Sequence, residues 1–130
     1  MDLELEGKTA IVTGGSRGIG KAIGRELALS GCDVVIGARN VESLDLTAHE
    51  LSQETGRKVV GIQVDTTNTT DVERMVEAAA QALGRIDILV NNAAAPGGIA
   101  RGPLATISDD DVLDDLNTKV VGYLRCARAV

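Results

Sequence analysis

Four short apolar runs, separated by segments of helical apolar period, constrain this chain more than any other feature. They are TAIVTG (Thr9 to Gly14), DVVIGA (Asp33 to Ala38), KVVGIQVD (Lys58 to Asp65) and RIDILVNN (Arg85 to Asn92). Both faces of these runs carry apolar residues, the pattern of strands buried on both sides. After the first run, Ile19, Ala22, Ile23 and Leu27 share one helix face, interrupted at Ser30 and Gly31. Val41, Leu44, Ala48 and Leu51 form a second such face ending at Thr55 and Gly56. Val72, Met75, Val76, Ala79 and Leu83 form a third, ending at Gly84. Strands of this kind alternating with helices require a parallel sheet covered on both sides. Right-handed crossovers then make the sheet doubly wound.

Thr70 and Glu73 hold the spacing of a capping box, in which each side chain satisfies an amide of the other's turn. A loop rich in Ala, Gly and Pro is expected from Ala93 to about Thr106. Ser108 then opens a last helix, with Asp109, Asp110 and Asp111 in the first turn, where the helix dipole favours negative charge. Leu113, Leu116, Val120, Leu124 and Ala127 mark its apolar face, and Asn117 lies on the flank of that face. The expected architecture for residues 1–130 is therefore a Rossmann-like, doubly wound α/β domain, truncated after the fourth strand and the following helix. With no Phe, no Trp and one Tyr, its core must be built from Val, Ile, Leu and Ala.

Charge and composition exclude several functions. A net charge of −6 and the scarcity of aromatics argue against nucleic-acid binding. The thirteen basic residues are scattered, with no run that would seat on an anionic membrane. Cys32 and Cys126 fit no metal-ligand spacing, and they read as reduced, buried thiols. His49, the only histidine, reads as a solvent-side helix residue, so no metal is expected. No apolar stretch approaches the ~20 residues of a membrane span. The acidic opening MDLELEGK does not resemble a secretory signal. A cytoplasmic, soluble protein is expected.

The stretch TGGSRGIG (Thr13 to Gly20) occupies the first strand-to-helix turn, at the sheet edge where ligands bind in such folds. Glycines there allow close backbone approach, and the helix start offers unpaired amides and partial positive charge to a phosphate. A kinase-type P-loop needs Ser or Thr after the Lys, but Ala22 follows Lys21. The G-x-G-x-x-G fingerprint fails at Ser16 and Ile19, leaving Gly14-x-x-x-Gly18-x-Gly20. A glycine turn serving only close helix–strand packing is the alternative. A ribose 2′-hydroxyl calls for an acid at the end of the second strand, and a 2′-phosphate calls for a base. No acid lies between Val34 and Val41; Arg39 is there, and Arg17 is in the loop. Two guanidiniums at one corner favour NADP(H) over NAD(H).

Together the motifs resemble the short-chain dehydrogenase/reductase family. TGGSRGIG resembles its T-G-x-x-x-G-I-G loop and NNAA (Asn91 to Ala94) its N-N-A-G motif, with Ala94 in place of the glycine. Asp65 and Asn117 match an acid facing the adenine and a helix asparagine. The resemblance implies that Gly14, Ser16, Arg17, Gly18, Ile19 and Gly20 hold the diphosphate side, Arg39 the 2′-phosphate and Asp65 the adenine. Asn91 and Ala93 would line the ribose and nicotinamide end, and Asn117 would support a catalytic proton relay. Structural alternatives stand beside these roles. Asp65 could cap a turn, Asn91 and Asn92 could end a strand, and Asn117 could satisfy nearby backbone. The implied reaction is hydride transfer between NADP(H) and a small carbonyl or alcohol substrate, in a protein that is a homo-oligomer at full length. The family's Ser and Tyr-x-x-x-Lys are missing, since the only tyrosine, Tyr123, has Ala127 four residues on. The chain is accordingly expected to be an incomplete, cofactor-binding half of a longer enzyme, inactive alone. The alternative is a non-catalytic nucleotide-binding module.

Overall fold

The computed structural model describes residues 2–94 and 100–130. Four parallel strands lie in the order β3-β2-β1-β4: β1 (Thr9–Thr13), β2 (Asp33–Ala38), β3 (Val59–Gln63) and β4 (Ile88–Val90). Thr9 pairs with Asp33, Val34 with Val59 and Ala10 with Ile88. Helices α1 (Gly18–Leu29), α2 (Val41–Thr55) and α3 (Thr69–Leu83) make the crossovers. Beyond β4 come α4 (Asp109–Leu116), a π turn (Asn117–Val121) and α5 (Gly122–Ala129). The expected doubly wound parallel sheet is present. Of the expected Ala93-to-Thr106 loop, residues 95–99 lie outside the described residues.

The side-chain alternation of the strands builds two cores. Ala10, Val12, Val34 and Ile36 face α1 and α2, where they meet Ala28, Leu44, Ala48 and Leu51. Ile11 and Val35 face the other way, against Val72, Met75, Ala79 and the Cys126 of α5. Nearly all of these side chains are fully buried, so the central strands had no polar face to reveal. Both cysteines are free and buried, and burial pushes both thiols up, which keeps them protonated. His49 is exposed.

Three expectations about local structure change. The cap of α3 is Asn68, whose side chain accepts the Asp71 amide at 3.0 Å, so the helix starts before the expected Thr70–Glu73 box. Asp71 then takes the third helical position and turns its carboxylate outward to the Asp65 amide. The fourth strand is shorter than Arg85 to Asn92, because side chains replace the ladder at both ends. Asp87 accepts the Thr9 amide at its start, and Thr13 Oγ1 accepts the Asn92 and Ala93 amides at its end. Finally, the last helix is not continuous but is divided by the π turn, and its apolar face lies open, with Leu113, Val120 and Leu124 each more than half exposed. α5 buries Gly122 and Cys126.

Candidate nucleotide cleft

The carboxyl ends of β1, β2 and β3 open into a cleft of about 830 Å³. Gly14, Ser16, Arg17, Gly18, Ile19 and Gly20 form one wall, and Arg39, Asp65 and Ala93 also line it. Nine of the eleven residues singled out in the sequence therefore meet in one place, although Gly14 and Asp65 are fifty-one positions apart.

Within the loop the glycines have different physical tasks. Gly14 has φ +70° and Gly18 φ +57°, conformations that a β-carbon disfavours. A β-carbon at Gly18 would meet nothing within 4 Å, so that position opens onto free space. At Gly20 it would overlap the Gly14 carbonyl oxygen and stand 2.5 Å from Asn92 Nδ2. Close packing and an open cradle therefore coexist in one loop, on different glycines. Outside contacts hold its shape. Gly14 donates to the Gly37 carbonyl, Thr47 donates to the Ser16 carbonyl, and Asn92 Nδ2 donates to the Gly14 carbonyl.

The start of α1 suits an anion. Asn40, Asn68 and Ser108 each cap their helix with a side-chain oxygen, whereas Arg17, at the cap of α1, makes no such bond. Its first-turn amides are thus left for another acceptor. Ile19, expected on the apolar face of this helix, is 75% exposed and turns to the cleft. Among the described residues, Arg25, Arg57, Arg74 and Arg85 are paired with carboxylates, while Arg17 and Arg39 are in no ion pair. Arg39 is exposed at the rim, and Gln63 Nε2 holds its carbonyl at 3.1 Å.

Asp65 does cap a turn, accepting the Thr67 amide and hydroxyl at 3.0 and 2.7 Å, and it lines the cleft while doing so. Asp71 anchors this turn by accepting the Asp65 amide at 2.6 Å. That bond first, and the Arg74 guanidinium second, hold the Asp71 carboxyl below its usual range. A carboxylate of depressed pKa contributes stability that is complete above the unfolded value and vanishes as pH falls through the folded one. Asp71→Ala is therefore expected to cost about 1–2 kcal/mol near neutrality. Urea unfolding should show the wild-type advantage shrinking below about pH 4. A gap independent of pH would contradict this account.

Two singled-out residues are not on the cleft wall. Asn91 turns toward α5, where its Nδ2 donates to the Tyr123 carbonyl, and its Oδ1 is buried without a partner among the described residues. Asn117 opens the π turn, and its Oδ1 accepts from Arg125 at 2.7 Å. The next residue, Thr118, reaches the cleft instead. Other lining residues were not singled out: Asn40, Ser43, Thr66, Thr67 and Asn92. The Asn40 cap and Ser43 carry a local helix-start signal that could have marked them; Thr66 and Thr67 carry none. Among the described residues no group of His, Cys, Asp and Glu could hold a metal, and no helix is long and apolar enough to cross a membrane.

The family model for short chain dehydrogenases matches residues 8–130. The chain is 35% identical to a chlorophyll(ide) b reductase of Arabidopsis thaliana, over 91% of its own length and 34% of that protein's. It superposes on L-sorbose reductase from Gluconobacter frateurii, complexed with NADPH and L-sorbose, with TM-score 0.91 and 32% identity. That match covers all of this chain and 48% of the other. A short chain dehydrogenase from Burkholderia cenocepacia J2315 in complex with NADP gives TM-score 0.84 and 39% identity, covering 96% and 50%. The chain spans half or less of the length of each of these relatives.

Proposed function

The chain belongs to the short chain dehydrogenase family of oxidoreductases, and from that premise we propose that its cleft binds NADP(H). The reading rests above all on Arg17 and Arg39, two guanidiniums in one cleft that form no ion pair among the described residues, beside a helix start with no side-chain cap. A diphosphate between Gly14 and Gly20 would accept the first-turn amides of α1, in the space that Gly18 leaves open. A 2′-phosphate would take charge-assisted bonds from Arg39 and Arg17, with Asn40 and Ser43 close by on the start of α2. Asp65 would meet the adenine, and Ala93 the ribose and nicotinamide end. The NADP-bound structures of relatives support the same cofactor.

When bound, this cofactor supplies or takes up a hydride at a carbonyl or alcohol carbon of a small substrate. The contribution of this chain is to bind and orient it. Asn91 would support the ribose and nicotinamide end from its bond to the Tyr123 carbonyl, and Asn117, held by Arg125, would support the proton relay. Tyr123 has no Lys four residues on, so the 130 residues alone are expected to bind without turnover. The outward leucines of α4 and α5 support association of copies in the whole protein.

Fluorescence titration with NADPH and NADH is the test. NADPH is expected to bind more tightly by at least about tenfold, the value of one charge-assisted contact. Equal affinities, or none, would overturn the reading.

A further inference from the structure

Arg125 of α5 spends its guanidinium on two backbone turns. Its Nη1 donates to the Thr66 carbonyl at 3.0 Å and to the Asn117 carbonyl at 3.2 Å. Its Nη2 donates to Asn117 Oδ1 at 2.7 Å, and its Nε donates to Thr69 Oγ1 at 3.2 Å. These bonds use four of the five N–H groups an arginine has. One turn, beside Asp65, lines the cleft through Thr66 and Thr67; the other is the π turn, which reaches the cleft at Thr118. The start of α5, directly after the π turn, also comes close to the Thr66 carbonyl. A β-carbon on Gly122 would stand 3.2 Å from both the Thr66 and the Asn117 carbonyl oxygens.

We propose that Arg125 is a positioning residue that clamps the Asp65–Thr67 turn to the π turn, so that a nucleotide seated on the first also orders the second. The proposal rests on the reading of the cleft as a nucleotide site. Its partners set Arg125 apart: among the described residues it has no carboxylate, only neutral oxygens from segments about fifty residues apart. A charge used merely for surface stability meets a carboxylate or water, as Arg25 and Arg85 do. Here a half-buried, rigid fork reaches the Thr66 carbonyl and the Asn117 carbonyl, which also accepts the Gly122 amide in the π turn. Movement of either turn would strain the same guanidinium.

Hydrogen exchange on the wild-type chain and on Arg125→Met decides the matter, with adenosine 2′,5′-bisphosphate as the probe. Without ligand, Arg125→Met is expected to speed exchange about tenfold in residues 66–69 and 117–122 together, leaving β1 and β2 unchanged. Arg125→Lys, which keeps the charge but loses the fork, should fall between. In the wild type the bisphosphate should slow residues 117–122 at least about threefold, and in Arg125→Met it should slow residues 66–69 alone. Faster exchange in only one segment, or equal transmission in both proteins, would overturn the clamp. If Arg125→Met does not fold, Thr69→Val removes one bond and must still speed both segments; no change there would also overturn it. A wild type that does not bind the bisphosphate would refute the nucleotide reading, and the ligand-free comparison would still decide the clamp.

Discussion

Gly20→Ala is expected to remove nucleotide binding and to destabilise the fold at once. The added carbon would occupy the place of the Gly14 carbonyl oxygen and crowd Asn92 Nδ2 at 2.5 Å. Neither neighbour is the free end of a flexible chain. The Gly14 carbonyl belongs to the turn that leaves β1, and Asn92 is tied to Thr13 and to that same carbonyl. Relief therefore requires the start of α1 to move away from the sheet. Such overpacking costs about 3 kcal/mol. It also moves the first-turn amides that would face the diphosphate, a loss of about 100-fold or more in affinity for NADPH. Gly18→Ala is the comparison: its methyl meets no protein atom within 4 Å and only φ +57° strains the fold, but it enters the space read as the diphosphate's, so NADPH binding should weaken with little overpacking. That strain is worth about 1–2 kcal/mol. Urea midpoints and NADPH titrations of both variants read the two effects separately. Wild-type behaviour in Gly20→Ala would mean that the loop does not hold the described shape.

Arg39→Asp is expected to reverse cofactor preference while leaving stability unchanged. Arg39 is exposed, and its only described bond is through its backbone carbonyl to Gln63, which the substitution keeps. The change exchanges a cation for an anion at the rim. For NADPH it removes a charge-assisted bond and adds repulsion toward the 2′-phosphate, about 3 kcal/mol in all, or roughly 100-fold. For NADH a carboxylate can accept from the ribose 2′-hydroxyl, so affinity should rise. Parallel titrations with both nucleotides check this. A preference that does not move would leave Arg39 as an ordinary surface charge and shift the assignment to Arg17.

How much was legible follows from the range of each interaction. The strands and helices were readable because apolar period and glycine stops are local signals, and Gly31, Gly56 and Gly84 all lie at helix ends with positive φ. Ser108 was readable as a cap for the same reason. The Asn68 cap lost to a capping-box pattern two residues later, because both patterns are local and only the Asp71–Asp65 bond separates them. The π turn was not readable. The periodicity of Leu113, Leu116, Val120 and Leu124 runs through it without a break, while the close approach of Gly122 to the Thr66 carbonyl joins segments distant in sequence.

By itself the sequence determined the alternation of elements, the parallel sheet, the loop with its φ-demanding glycines, and the absence of an acid where Arg39 stands. Each of these depends on neighbours within a turn or two of chain. Only the tertiary structure decided that Gly20 packs while Gly18 faces open space, and that Thr66 and Thr118 share a cleft with Arg17. It also gave Asn91 and Asn117 their partners, the Tyr123 carbonyl and the Arg125 guanidinium. Most of those outcomes depend on close approach between segments tens of residues apart, which the crossovers create and which no local pattern records.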